Sequence, residues 1–309
     1  MSREENPALA WQSKAILLLV VPWTALSVLF QTIFWAQNAP VVAWTTLGIS
    51  AAFGLIVWRM KAGTPAAAAT GAAITASLMY NTARYPYATS WLHGGLLPLL
   101  AVFLLTYAAT KIGKSRKEKL GTGESKRGRN AAQVAANIGA SALFASMPIS
   151  AFSPERILLP SLQAIVTFAA LTALSEAAAD TVSSEIGQVF GGEPRLITTM
   201  RRVPKGTDGG ITVTGTFAGS IAALIVMTVG FWAMRGTDKF LGYWVSICLG
   251  TACGIFGLLF DSLLGVTLER KGWLNNDAVN FLSTLSAVIF PAVLAGGIMA
   301  EIMRRHPAW

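Results

Sequence analysis

Charge is scarce in this sequence. Its 309 residues hold 15 Asp and Glu against 24 Lys and Arg, so only 13% are charged. A soluble domain carries about 25%, which argues against a water-soluble globular fold. Cysteine and histidine are sparser still, two of each. Cys248 and Cys253 sit inside one apolar segment, a setting for small buried thiols rather than for a disulfide or a metal site. His93 and His306 lie far apart with no ligand partners nearby, so there is no zinc signature. No Ser-His-Asp arrangement and no activated cysteine can be assembled from the chain. The N-terminus also lacks the marks of a cleavable signal. Glu4 and Glu5 interrupt its charged region, and the apolar run Ala15 to Ala36 exceeds the usual ~7–15 residues. It reads as a retained first span.

Apolar residues are abundant, at 53%. Several runs approach the ~20 residues that cross a bilayer core. The expected fold is all-α: a polytopic membrane bundle of about nine transmembrane helices forming one domain, residues 1–309. The spans are read as Lys14–Ala36, Pro40–Trp58, Pro65–Ala83, Trp91–Thr110, Ala131–Met147, Ile157–Ser175, Gly215–Met234, Phe240–Leu264 and Ala278–Met303. The sixth should continue as helix toward Ile186. The third is rich in alanine, which favours close helix packing over lipid exposure. Gly250 and Gly254 in the eighth have the spacing of a close helix contact.

The net charge of +9 would suggest nucleic acid for a soluble protein. In a membrane protein it follows from Lys and Arg collecting in cytoplasmic loops, and no nucleic-acid partner is expected. With the N-terminus in the cytoplasm, nine spans place 18 of the 24 basic residues inside. The opposite orientation inverts that bias. N-in, C-out in the plasma (inner) membrane is therefore the expectation. In that frame every polar cluster falls at a cytoplasmic span end or in a cytoplasmic loop.

The densest cluster runs from Leu174 to Gly219 and holds five of the fifteen acids: Glu176, Asp180, Glu185, Glu193 and Asp208. Glu176 and Asp180 share a helix face. Two carboxylates so placed repel unless a cation or proton lies between them. Glu185 falls on the far side of a regular helix and joins them only if the helix breaks at Ser183-Ser184. Gly206-Thr207-Asp208-Gly209-Gly210 leads into a helix. Such a loop either cradles phosphate with its N–H groups or is a tight packing turn, and both readings stand. Arg201, Arg202 and Lys205 lie just upstream. Gln133 and Asn137 share a face at the start of the fifth span. Asp261 closes the eighth span, and Asn276 and Asp277 open the ninth, where capping is the ordinary role. Asn280, one turn in, needs more than capping, and its amide could bind a base, a ribose or a metal-bound water. Gly113-Lys114-Ser115 is not a P-loop, because Ala108 stands where the first glycine belongs and no strand precedes it. What is present suits phosphoryl transfer, which relies on positioning and electrostatic clamps.

These motifs resemble an integral membrane family long called domain of unknown function 92, which includes a plant phytyl-phosphate kinase. The resemblance rests on A-D-T-V-S-S-E-I-G (179–187), P-R-L-I-T-T (194–199), V-P-K-G-T-D-G-G-I-T (203–212) and G-T-F-A-G (215–219). It extends to G-R-N-A-A-Q-V-x-A-N (128–137), D-S-L-L-G-V-T-L (261–268) and N-D-A-V-N (276–280). It implies a family core over 111–309, with residues 1–110 as variable N-terminal spans. It further implies an enzyme: a Mg²⁺-dependent phosphotransferase moving a phosphoryl group from a nucleoside triphosphate, CTP by analogy with dolichol kinase and the CDP-lipid synthases. The acceptor would be an isoprenoid monophosphate such as phytyl phosphate.

In that reading Asp180, Glu185, Asp208 and Asp261 are catalytic, and Glu176, Asp180 and Glu185 hold the metal. Arg202, Lys205, Gly206, Thr207, Gly209, Gly210, Asp277 and Asn280 bind nucleotide. Arg129, Asn137 and Arg195 meet the substrate phosphate. The lipid bilayer is the surrounding partner, and the sequence leaves room for a homodimer. Two alternatives remain: a cytidylyltransferase making a CDP-lipid, and a transporter without chemistry.

Overall fold

Over its described residues each expected span is a helix, and polar residues from the ends of four of these helices line one cavity. The computed structural model describes residues 7–83, 94–121, 128–146, 160–233 and 243–289. A short 3₁₀ turn leads into α1 (Ala10–Asn38), followed by α2 (Pro40–Arg59), α3 (Pro65–Thr82) and α4 (Leu96–Lys111). Next come a six-residue helix α5 (Lys114–Lys119), α6 (Ala131–Ala145) and the long α7 (Pro160–Phe190). A two-stranded antiparallel ribbon, β1 (Arg195–Leu196) and β2 (Gly210–Ile211), precedes α8 (Val213–Ala233) and α9 (Tyr243–Leu264). The final described helix, α10, covers residues 276–289. The predicted stretches 91–93, 147, 157–159, 234, 240–242 and 290–303 lie outside the described residues.

Among the described residues, α1, α2, α7, α8 and α9 are long and apolar enough to cross a membrane unaided. The weak third span owes its place to packing: residues 74–83 are all buried. α7 is the axis of the bundle and packs on α4, α6, α8 and α9. Its 31 residues span about 46 Å, well beyond the ~30 Å of a hydrocarbon core, so its C-terminal turns reach the polar end. The helix runs unbroken through Ser183 and Ser184 to Phe190. Glu185 therefore does not share a face with Asp180.

Small residues bring α7 and its neighbours together. Ala135, Ala136, Ala140, Ala173, Ala178 and Ala223 are fully buried. A Cβ on Gly219 of α8 would lie 2.5 Å from the Ala179 carbonyl oxygen of α7. One polar group sits deep in this interface. Glu176 is buried, and its two oxygens accept hydrogen bonds from Ser283 Oγ (2.8 Å) and Thr284 Oγ1 (2.6 Å), tying α7 to α10.

The same end of the bundle is locked by α1. Gln12 Nε2 donates to the Trp273 carbonyl, Asn275 N donates to Gln12 Oε1, and Ser13 Oγ donates to Asp277 Oδ2 at 2.7 Å. Asn275, rather than Asn276 or Asp277, caps α10, accepting from Ala278 N at 2.9 Å. The Arg129 backbone pairs with the α2–α3 turn through Ala62 and Thr64. A reciprocal cap opens α6, in which Asn130 Oδ1 accepts from Gln133 N and Gln133 Oε1 accepts from Asn130 N.

Close packing makes Gly219 intolerant. Gly219→Val should cost about 1–3 kcal/mol and lower the Tm of the detergent-purified protein. Gly48→Ala, whose Cβ meets nothing within 4 Å, should leave the Tm unchanged or slightly raised, since alanine is the better helix former. Equal Tm values for both variants would contradict the tight α7–α8 contact.

Candidate active site

At the polar end of the bundle lies a cavity of about 610 Å³, within the range of small-molecule sites. Its walls are the start of α6, the last turns of α7, the 205–212 loop, the end of α9 and the start of α10. The C-terminal turn of α9 widens into a π-helical turn, Gly265–Glu269, in which Arg270 N donates to the Gly265 carbonyl at 3.1 Å. Gly265 and Glu269 of that turn line the cavity. π turns are common at functional sites, and nothing in the composition announces this one.

Asp180 on α7, Asp208 in the loop and Asp261 on α9 come together in this cavity with Glu185. Glu176, Asp180 and Asp261 are near enough to repel one another, and Glu269 adds to the repulsion at Asp261. Asn280 connects two walls. With its amide nitrogen toward α6 it donates to Asn137 Oδ1 at 3.3 Å, and in the reversed orientation it reaches Asp261 Oδ2 at 3.3 Å.

Lys205 supplies positive charge in the lining, its Nζ donating to the Gln188 carbonyl at 2.9 Å. Burial, and then the Arg116 charge, hold its ammonium below the usual lysine range. Gly206, Thr207, Gly209 and Gly210 line the cavity and feed α8, whose N-terminus is capped by Thr212 accepting from Gly215 N at 3.0 Å. Gly209 has φ +73°, and a Cβ there would lie 2.6 Å from the Ser262 carbonyl oxygen of α9. The loop is thus a tight packing turn and a cavity wall together.

Glu185 reaches the lining from the opposite flank of α7. Its Oε2 accepts from Lys117 Nζ at 2.5 Å, and the same nitrogen donates to the carbonyls of Ala109 and Thr110 at the end of α4. Lys117 is 2% exposed, so this one lysine of the basic segment is a plug in the bundle rather than part of a solvated run. Its geometry assigns Glu185 to an ion pair, in place of the expected carboxylate group with Asp180.

Four expected site residues lie outside the lining, each for a physical reason. Glu176 is saturated by Ser283 and Thr284. Asp277 is held by Ser13, far away in sequence. Arg202 forms an exposed pair with Glu193 at 2.9 Å. Arg195 donates to the Met200 carbonyl at 3.0 Å on the outer side of the ribbon. Sequence reading passes over Lys117, Thr212 and Glu269. For Thr212 the cap position ahead of α8 is a usable signal; the other two depend on tertiary contacts.

A second cavity, apolar and about 100 Å³, lies between α2, α3, α4 and α6. Arg129 and Asn137 line both cavities. Arg129 Nη2 donates to Thr181 Oγ1 of α7 at 3.4 Å.

Helical spans, a one-sided acidic and basic cavity and an adjoining apolar groove define a polytopic membrane protein with a polar site at one end of its bundle. The chain belongs to the family described as integral membrane protein DUF92, which it matches over residues 48–288. It is similar to the uncharacterized membrane protein MJ0933 of Methanocaldococcus jannaschii, 36% identical over 62% of this chain and 71% of that protein. It is also similar to the uncharacterized membrane protein sll0875 of Synechocystis, 33% identical over 67% of this chain and 74% of that one. Protein VTE6, chloroplastic, of Arabidopsis thaliana is 28% identical over 68% of this chain and 59% of its own length. No solved structure matches.

The buried pair gives a test of local stability. Lys117→Met leaves the Glu185 carboxylate, 19% exposed at the cavity, without its cation, and should cost less than breaking a fully buried pair, about 3–5 kcal/mol. Lys117→Met combined with Glu185→Gln should recover a large part of that loss in a double-mutant cycle of detergent unfolding. Strict additivity of the two single changes would show that the pair is not coupled.

Proposed function

We propose that the protein is a membrane phosphotransferase that moves a phosphoryl group from a nucleoside triphosphate, CTP in the first instance, to an isoprenoid monophosphate such as phytyl phosphate. One observation carries the reading: a polar cavity large enough for a nucleotide meets an apolar groove, and the two share Arg129 and Asn137. A lipid phosphate needs such a boundary, with its tail in hydrocarbon and its head among cations. The resemblance to a family that includes a plant phytyl-phosphate kinase points the same way.

In this reading Lys205 and the backbone of Gly206 to Gly210 cradle the triphosphate at the head of α8, where helix N-termini favour anions. Arg129 and Asn137 orient the acceptor phosphate. An acceptor oxygen attacks the γ-phosphorus, the bond to the β–γ bridging oxygen breaks, and nucleoside diphosphate leaves. The acceptor phosphate is itself the nucleophile, so the reaction needs no activated serine or cysteine.

The donor set suits Mg²⁺. Asp180 and Asp261 face one cavity and repel each other, a tension that a cation relieves. Mg²⁺ takes one or two carboxylates and completes its shell with substrate phosphates. Among the described residues no three His, Cys, Asp or Glu side chains form a metal site on their own, so Asp180 and Asp261 would hold the ion jointly with the phosphates. When bound it would neutralise phosphate charge.

Every Lys and Arg among the described residues lies at the cavity end of the bundle or in its loops, which supports a cytoplasmic site through the positive-inside rule.

Incubation with Mg²⁺, each nucleoside triphosphate and phytyl or geranylgeranyl monophosphate should yield the prenyl diphosphate and nucleoside diphosphate. A CDP-linked lipid with pyrophosphate would instead establish the cytidylyltransferase. Asp180→Asn and Asp261→Asn should each lower turnover by roughly 10²-fold without lowering the Tm; full activity in either would remove that residue from the site. Bound phosphate should raise the depressed Lys205 pKa. Nucleotide affinity should therefore weaken as pH rises through that pKa, and titration calorimetry should find this dependence missing in Lys205→Gln.

A further inference from the structure

One wall of the apolar groove is a small-residue stretch of α3. α3 contributes Ala67, Ala68 and Gly71 to it, and α4 faces them with Val102 and Phe103. Gly71 lies six residues into α3, about 9 Å along the axis from its polar end. A Cβ built on Gly71 meets nothing within 4 Å, whereas Gly54 and Gly63, on and just after the adjoining α2, would meet Ala72 and Ala67 at 3.0 and 3.1 Å. Gly54 and Gly63 answer to helix packing; Gly71 opens onto the empty groove. Mid-helix glycine costs up to ~1 kcal/mol relative to alanine, so a glycine that no neighbour requires is left to be explained by the space in front of it.

Arg129 and Asn137 line this groove and the polar cavity alike, so they stand where the two meet. On the far wall Phe103 stacks on Tyr107 at 5.7 Å and meets Phe53 edge-on at 5.3 Å. Together these groups form a narrow apolar slot with a cation at its mouth.

Resting on the phosphotransferase reading, we infer that this slot is the acceptor-tail site, that it takes the head-proximal part of one single-chain isoprenoid monophosphate, and that Gly71 is its specificity-determining residue. The occupant follows from charge and width. Arg129 complements a phosphate head, the groove walls complement hydrocarbon, and a cavity of about 100 Å³ holds a short length of one chain. A phosphatidic acid would bring two chains to the same mouth. Gly71→Leu fills the slot from a helix that tolerates the side chain, so the loss of function is separable from a loss of fold.

The test measures binding of geranylgeranyl monophosphate to the full-length protein in detergent by native mass spectrometry, alongside turnover. Wild type should bind the prenyl phosphate at least tenfold more tightly than dioleoyl phosphatidic acid. Gly71→Leu should weaken prenyl binding by roughly tenfold or more, with no loss of Tm. Gly48→Leu adds the same side chain to open space on α2, outside the groove, and should bind as wild type does. The inference is overturned if Gly71→Leu binds like wild type, if Gly48→Leu loses binding equally, or if phosphatidic acid binds as tightly as the prenyl phosphate. If Gly71→Leu proves unstable, Gly71→Ala replaces it, with a smaller loss of binding in the same direction expected and an unchanged affinity overturning the inference. The predicted binding pattern without turnover for any nucleotide would leave the groove assignment standing and remove the phosphotransferase reading.

Discussion

In hydrocarbon a polar side chain has to carry its own partner, because the solvent supplies none. That constraint arranges the whole molecule. Where a carboxylate does enter the bundle, as at Glu176, two hydroxyls of α10 meet its two oxygens. Elsewhere the described acids and bases are driven to one end, where helix termini, a short ribbon and a π-helical turn leave room for water and ligands. The one-sidedness of the site is the other face of the apolar packing around α7.

Small side chains set how near those walls can come. The α7–α8 contact is close enough that the carbonyls of one helix lie over the glycines of the other, which brings the 206–210 loop onto the end of α9 and encloses the cavity. A bulkier interface would hold the same acids apart. The N-terminal helix contributes by a different route: Gln12 and Ser13 clamp residues 273–277, so the cavity wall at α10 is steadied by residues that carry no chemistry.

The helical membrane fold was legible in the sequence because repeated hydrophobic runs of bilayer length are the mark of chains that cross a membrane. The density of polar groups between Leu174 and Gly219 was legible too, since charge is so rare elsewhere. Individual assignments depended on what chain composition does not show. Glu185 does lie off the Asp180 face, as helix periodicity requires, yet it lines the cavity because Lys117, 68 residues away in sequence, closes that flank. Lys117 itself was indistinguishable from its basic neighbours until packing buried it. Asp277 looked like a cap or a ligand, and its actual partner is on the first helix. Arg195 and Arg202 had the right charge in the right loop, but the ribbon turns them outward. Helix periodicity says which residues share a face, and tertiary contact decides what that face meets.

The position of α6 has a consequence for how such a protein can change. The polar cavity is walled by α7, α9, α10 and the 205–212 loop, and the apolar groove by α2, α3 and α4; α6 alone is common to both. Substitutions on the α2–α3 hairpin can therefore reshape the groove while leaving the polar walls untouched, and the reverse holds for the loop. The molecule is built as two rooms with one party wall, and Arg129, stitched by its backbone to the hairpin and by its guanidinium to α7, is the door frame between them.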